Sequence, residues 1–408
     1  MAELKSVAQH YADVMDMGAA VPVADIPLQE AHSLRLAADV YSRYAIPPFT
    51  NSAMDGFAVR AGDVRPSVAL TVRADVRAGD VARIGHEWQP GTAVRVMTGA
   101  PLPAGADAVL IVENTEGGQC ANMQPEPPTQ IVPTAEVRSG AHVRLAGEDM
   151  AAGDLAFTAG TLLTAAHIGA LAALGYGSAR VYRRVRVGVL ATGSELAAPG
   201  EPLQPGHIPD SNSYMVAALL TERGAQVQRR SEHSDIEAGF IDVFDELVAT
   251  NDLVITTGGV SAGAFDVVKA ALRGRGVHFE KVKMQPGKPQ GWGVVNGTPV
   301  LCLPGNPVSV FVSMQLFGLP LLKILQGEAA QSYDSCFGEA VAGAQWRHKV
   351  GRTQFLPAVV GADGVEPATA GGSGSHLIGS LPKAKLLAVT PADQELVRAG
   401  ERVKVLWL

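Results

Sequence analysis

Apolar positions along this chain change their spacing several times, and each change marks a different kind of structure. Near the start Val7, Tyr11, Val14 and Met15 recur at helical spacing, and Leu28 to Ala38 carries a second, shorter stretch of the same period, so both are predicted as helices. From residue 41 to 140 the pattern shortens to β-like runs, Val68 to Val72, Ala93 to Met97 and Ala108 to Val112. Gly/Pro turns separate them, as does a loop from Gln124 to Thr129 with three prolines. This block reads as a β-rich module of its own.

Thr164 is placed to cap a helix in which Ile168, Leu171 and Leu174 form one apolar face, with Gly175 where a left-handed terminal residue is wanted. Beyond it strands and helices alternate. Arg186 to Leu190 and Leu253 to Thr256 read as strands; Tyr214 to Arg223, closed by Gly224, Phe240 to Val248 and Val267 to Arg273 read as helices. A further strand, Pro299 to Leu303, runs into a long apolar helix from Ser309 to Leu325. Such alternation predicts a doubly wound parallel sheet over residues 181–326. After Gln326 the helical period fades, and 327–408 reads as a small terminal β domain of short strands and turns. No internal repeat is visible.

Three strand ends in the α/β region open into glycine-bearing corners: Thr192-Gly193-Ser194-Glu195, Thr257-Gly258-Gly259-Val260-Ser261 and Pro304-Gly305-Asn306-Pro307-Val308-Ser309. Any one of them, taken alone, is an ordinary turn. In a parallel sheet, however, all three fall on the carboxyl edge, where open α/β sheets bind ligands, and a corner that opens a helix offers N–H groups to an oxyanion. No Walker pattern and no GxGxxG follows any strand, which argues against an ordinary NTPase or a dinucleotide-dependent dehydrogenase.

Composition narrows the class further. A chain of 408 residues with 47% hydrophobic content has material for about two to four domains. A formal charge of −7 and the lack of a basic run interleaved with aromatics argue against a generalised nucleic-acid surface, so an anion would have to be held locally. Cys120, Cys302 and Cys336 are odd in number and far apart, which fits a reducing cytoplasm better than a disulfide framework. No targeting or membrane-spanning segment is expected.

Lys288 sits in Gln285-Pro286-Gly287-Lys288-Pro289, a stretch stiff enough to aim an ammonium group, with Lys281 and Lys283 just before it; a solvated charged loop is the plainer reading. Four acids occupy special places: Asp55 in Asn51-Ser52-Ala53-Met54-Asp55-Gly56, Glu195 in the first corner, Asp235 before a helix and Asp266 at an N-cap position. The last two also serve as helix caps on the simplest view. Acids beside a phosphate site repel it unless they hold Mg²⁺, which takes one or two carboxylates and bridges to phosphate oxygens. The 10 histidines show no paired metal-ligand spacing.

Taken together, NSAMDGFAV (Asn51 to Val59), MTGAPLPAGADAV (Met97 to Val109), GED (Gly147 to Asp149), TGSEL (Thr192 to Leu196), TTGGVSAGAFD (Thr257 to Asp266), QPGKP and PGNPVS resemble, in order and over nearly the whole chain, the MoeA family of molybdopterin molybdenumtransferases, to which the gephyrin E domain belongs. The resemblance implies a mixed α/β multidomain protein. Its parts would be an elongated, discontinuous linking domain (1–40 plus 141–180), a β-rich second domain (41–140), a central doubly wound α/β domain of the molybdopterin-binding type (181–326) and a small C-terminal β domain (327–408).

It also implies a cytoplasmic homodimer that inserts molybdate into adenylylated molybdopterin, with Mg²⁺-dependent hydrolysis of the pyrophosphate link and release of molybdenum cofactor and AMP. Its cleft would lie between the α/β domain of one subunit and the β-rich domain of the other. The partners implied are the adenylyltransferase that makes the substrate and the molybdoenzymes that take the product.

Position by position, Asp55 and Thr98 would reach the site from the β-rich domain, supported by Arg144 and Asp149. Glu195, Asp235 and Asp266 would surround metal and nucleotide, with Glu195 and Asp266 as the metal ligands. Gly258, Gly259, Ser261, Lys281, Lys288, Pro304, Asn306, Pro307 and Ser309 would bind pterin phosphate or molybdate, joined by Arg352 and by Ser373 or Ser375. One departure stands out: many members have KPGKP where this chain has Gln285. Two other functions fit the same resemblance, adenylyl transfer to molybdopterin and a non-catalytic carrier or scaffold.

Overall fold

The computed structural model describes residues 4–80, 88–232, 237–260, 267–369 and 374–408. The chain divides into two compact units, one of residues 38–159 with 165–179 and the other of the remainder.

In the first unit five strands form a sheet in the order Ala108–Ile111, Gly56–Val59, Thr92–Val96, Leu70–Val76, Gln130–Ile131. The Gly56–Val59 strand, second in this order, is buried throughout, and its alternation sends Phe57 and Val59 into one apolar cluster and Ala58 into another. Gly56 has no room for a side chain, since a Cβ there would lie 2.3 Å from the Leu110 carbonyl oxygen. Arg95, 2% exposed, pairs in register with Asp75 on the neighbouring strand. Its Nε and Nη2 donate to the two carboxylate oxygens at 2.8 and 2.9 Å, and Nη1 and Nη2 donate to the carbonyls of Gln124 and Pro125 at 2.6 and 3.2 Å. The proline-rich loop thus supplies acceptors for a buried cation, and the Arg95 guanidinium holds the Asp75 carboxyl below its usual range.

In the second unit a six-stranded sheet runs Gln226–Glu232, Arg186–Thr192, Leu253–Thr257, Thr298–Leu303, Pro289–Val295, Val277–Lys281. The first four strands are mutually parallel and the last two antiparallel. Alternate residues face opposite layers. Val187, Val189, Leu253, Ile255, Leu301 and Leu303 pack with helices Val7–Met15, Asn212–Glu222 and 307–325, while Leu190, Val254, Val300 and Cys302 pack with Phe240, Phe244 and Leu247 of Glu237–Thr250 and with Val268 of Val267–Ala271. The doubly wound arrangement therefore holds, with an antiparallel margin that periodicity did not reveal. Gly291 and Gly293 in that margin permit close strand contact: a Cβ would meet the Cys302 side chain at 2.7 Å and the Gly276 carbonyl oxygen at 2.0 Å.

The helix after the third corner begins at Pro307, where proline sits in the first turn, and runs to Leu325. Its middle turn, Met314–Gly318, widens to a π-helix. Pro320 lacks an N–H for the Leu316 carbonyl and its ring crowds that oxygen, so a wider turn there is the natural accommodation. This helix is apolar enough to span a membrane, but 83% of its most apolar window is buried inside the protein, which makes it a core helix.

Leu28 to Ala38 is not a helix. Turns carry it to two bridges, Arg35 with Leu162 and Leu36 with Val181, and Ser33 takes a positive φ of 64°. Its periodic apolar residues, Leu28, Ala31 and Leu34, are buried all the same, so the period reported burial and not helicity. The terminal β region forms a sheet in the order Met284–Gln285, Thr353–Val360, Leu386–Thr390, Arg402–Trp407, Gly338–Val341. Its first strand thus comes from the α/β region.

Within the Val7–Met15 helix, burial lowers the pKa of His10 to about 4, although the nearby Glu280 carboxylate acts in the opposite direction. A histidine depressed from 6.5 takes up protons more readily when unfolded, so its contribution to stability is whole above pH 6.5 and declines as pH falls toward 4. Between pH 7 and 5 this amounts to at most about 2 kcal/mol. Urea unfolding of the wild type should lose that stability across the interval, and a His10→Phe variant should lose distinctly less.

Candidate active site

Strands Arg186–Thr192, Leu253–Thr257 and Thr298–Leu303 are adjacent and parallel, so their three corners meet at one edge. The peptide chains touch there. The Gly258 N–H donates to the Leu303 carbonyl at 3.0 Å, and a Cβ on Gly258, whose φ is 96°, would lie 2.7 Å from the Thr192 carbonyl oxygen. Glycine is required because a neighbouring main chain occupies the side-chain position and because the backbone is left-handed. In the first corner the Glu195 carboxylate folds over Gly193, with a Cβ on Gly193 falling 2.4 Å from Oε2.

These corners border a cavity of about 740 Å³. Of the expected residues, Glu195, Gly258, Gly259, Pro304, Asn306 and Ser309 line it, as do Lys288, Arg352 and Ser375. Lys281 and Pro307 do not: Lys281 pairs with Pro289 in the antiparallel margin, and Pro307 turns into the helix as its first residue. Asp235, Ser261, Asp266 and Ser373 lie outside the described residues.

The third corner differs in one respect from the expected set of free amides. The Val308 N–H donates to the Ser375 carbonyl at 3.1 Å, so the last domain is fastened to the helix start and one donor is already used. Asn306 caps the helix with its backbone alone. Ser309, 4% exposed, still reaches the cavity wall.

Lys288 stands on a pinned loop. Its carbonyl accepts from the Val282 N–H at 2.8 Å, and the Gly287 carbonyl accepts from Gln290 Nε2 at 2.7 Å. Gln290, 1% exposed, also donates to Ser313 Oγ at 2.7 Å, which ties the loop to the core helix. Arg352 arrives from the terminal sheet. Met284 and Gln285 pair in parallel with Thr353 and Gln354, and this pairing brings Arg352 Nη2 within 2.8 Å of Gln285 Oε1. Gln285, Pro286 and His376 also line the cavity. Sequence reading treated Gln285 only as a missing cation and gave His376 no place, although its position directly after the Gly-Ser run was a usable signal.

Asp55, Thr98, Arg144 and Asp149 belong to the other unit. There the Thr98 N–H and hydroxyl both donate to Asp55 Oδ1, at 2.7 and 2.9 Å, so the carboxylate is aimed by a neighbouring loop. Arg144 lies opposite Asn51 on a two-residue strand with its side chain exposed, and exposed Asp149 uses its N–H on the Ile46 carbonyl at 3.0 Å. Among the described residues no group of three or more His, Cys, Asp and Glu gathers as a metal cluster.

Comparison with known proteins places the chain in a family. Residues 5–175 match the model of the MoeA N-terminal region (domain I and II), residues 188–324 that of a "probable molybdopterin binding domain", and residues 339–408 that of the MoeA C-terminal region (domain IV). Molybdopterin molybdenumtransferase 2 of Mycobacterium tuberculosis is 40% identical over 98% of this chain and 99% of its own length. Molybdopterin molybdenumtransferase of Haemophilus influenzae is 36% identical over 93% and 92%. Among solved structures, the molybdopterin biosynthesis MoeA protein of Pyrococcus horikoshii OT3 superposes with a TM-score of 0.76 at 27% identity, covering 100% of both chains. With three family regions in order, relatives similar from end to end, and the same fold, the chain belongs to the MoeA family of molybdopterin molybdenumtransferases.

Proposed function

We propose that the protein inserts molybdate into adenylylated molybdopterin, coupled to hydrolysis of the pyrophosphate link, and releases molybdenum cofactor and AMP. The observation that carries this reading is the cavity lined by three glycine corners, Lys288, Arg352 and Glu195. Two cations and nearby peptide donors suit a tetrahedral oxyanion and a phosphate, because preorganised donors stabilise charge without reorganising. Lys288, a compact point charge, and Arg352, a planar fork, would hold these groups in complementary ways. Ser309, Asn306 and Ser375 would orient the pterin phosphate.

The donor set suits Mg²⁺, since Glu195 puts a hard oxygen ligand on the wall and this ion takes one or two carboxylates together with phosphate oxygens. Glu195 would hold it, with Asp266 as the second ligand of the sequence reading, and when bound it would neutralise charge on the pyrophosphate. Asp235 and Asp55 complete the proposed catalytic acids, and Gly258, Gly259, Ser261, Lys281, Pro304, Pro307, Ser373, Thr98, Arg144 and Asp149 the proposed binding set. We assign domains as 1–40 with 141–180, 41–140, 181–326 and 327–408, in a cytoplasmic homodimer whose site takes Asp55 and Thr98 from a second copy.

Purified protein given Mg²⁺, molybdate and adenylylated molybdopterin should release AMP. Consumption of ATP with free molybdopterin instead would replace this reading with adenylyl transfer. Subunit sharing has its own test. Inactive Asp55→Ala and Lys288→Ala proteins, dissociated together and reassociated, should regain about a quarter of wild-type turnover, because half the random dimers carry one intact site. Recovery no greater than the sum of the two variants would exclude a site shared between copies.

A further inference from the structure

Arg352 is braced at two points, and the brace on its side chain comes from a neutral residue. Nη2 donates to Gln285 Oε1 at 2.8 Å, while the Arg352 backbone carbonyl accepts from His348 Nε2 at 2.5 Å. A carbonyl only accepts, so His348 carries a proton on Nε2, and its Nδ1 is buried without a partner. Strand pairing of Met284 and Gln285 with Thr353 and Gln354, with the Thr353 N–H on the Lys283 carbonyl at 3.0 Å, keeps the two loops side by side. Gln285, Arg352 and Lys288 all line one cavity.

We propose that Gln285 is a positioning residue that holds the Arg352 guanidinium facing an oxyanion in this cavity; the inference rests on and deepens the function proposed above. An arginine has five N–H donors, so one Nη2 bond to an amide oxygen restrains the fork and leaves other donors for the ligand. A lysine at position 285 would offer no acceptor and would place a like charge beside the guanidinium. The glutamine therefore orients one cation and adds no charge of its own. This favours planar, two-point contact with molybdate or a phosphate over diffuse attraction.

The test is titration calorimetry of the full chain with sodium molybdate, run on the wild type, Gln285→Met, Arg352→Ala and the double variant. AMP release and urea unfolding are measured in parallel. Methionine keeps the length of the side chain and removes the acceptor. Gln285→Met is expected to weaken molybdate binding about ten- to hundredfold, the range for a charged hydrogen bond, with an unchanged unfolding midpoint. The KM for molybdate should rise while kcat at saturating molybdate stays within about threefold. In the Arg352→Ala background the same substitution should alter affinity by less than about twofold, because Gln285 acts through the arginine.

Wild-type affinity in Gln285→Met, or losses that multiply in the double variant, would overturn the proposal. So would a wild type that binds molybdate no better than Arg352→Ala. If the wild type shows the expected binding pattern yet releases no AMP, the positioning role stands and the proposed reaction falls.

Discussion

Replacing Lys288 with alanine is expected to lower AMP release by about two to three orders of magnitude, the usual consequence of removing one preorganised donor from an oxyanion site. The ammonium is not on a loose surface loop. Gly287 has a φ of 95°, the Lys288 carbonyl is bonded to Val282, and buried Gln290 ties the loop to Ser313. All of these contacts use backbone or neighbouring side chains, so removal of the lysine side chain should leave the loop in place. Unfolding of Lys288→Ala in urea should therefore match the wild type, and the loss should fall on the reaction. Arginine at 288 preserves the charge but brings a larger planar fork where a point charge fits. Lys288→Arg is expected to recover part of the rate. An alanine variant with wild-type turnover would remove Lys288 from the site.

The largest effect on stability is expected at Arg95. Among the described residues it is the biggest fully buried side chain, and its hydrogen-bond partners Asp75 and the carbonyls of Gln124 and Pro125 lie in the β-rich unit. Arg95→Ala removes the cation and leaves the mostly buried Asp75 carboxylate with the longer contact from Arg77 Nε at 3.4 Å. Breaking one partner of a buried pair costs about 3–5 kcal/mol. Changing both members, Arg95→Leu with Asp75→Leu, should cost much less, because no uncompensated charge remains.

The sign of the pH dependence follows from the direction of the Asp75 shift. Its carboxyl is depressed in the folded state, so the stabilisation is present above the unfolded carboxylate range and is lost as pH falls through the folded value. Chemical unfolding at pH 7 and at pH 3 should show the wild type losing more of this contribution than Arg95→Ala. A wild-type midpoint in Arg95→Ala at pH 7 would contradict the assignment.

Much of this architecture was legible in local pattern. Arg186–Thr192, Leu253–Thr257 and Thr298–Leu303 are continuous apolar runs, as strands buried on both faces must be, and each ends in glycine or proline. Gln226–Glu232 was missed because an edge strand with the sequence QVQRRSE has too few apolar positions to announce itself. Pro289–Val295 was missed because its two glycines, read locally, weaken a strand, whereas they are needed for the close approach to Cys302 and Gly276. Leu28 to Ala38 failed for the opposite reason: a convincing period arose from turns that bury every third residue.

What the sequence by itself determined is therefore the buried parallel strands and their helices, the corners that end them and the residue types able to hold an anion, because short-range sterics and burial act on neighbours along the chain. Only the tertiary structure decided that the three corners leave neighbouring strands, that Arg352 meets Gln285, and that the Val308 amide is already taken by Ser375. Those outcomes depend on strand pairing between distant segments. Such pairing is made by main-chain N–H and C=O groups common to nearly every residue, so the letters carry little trace of it.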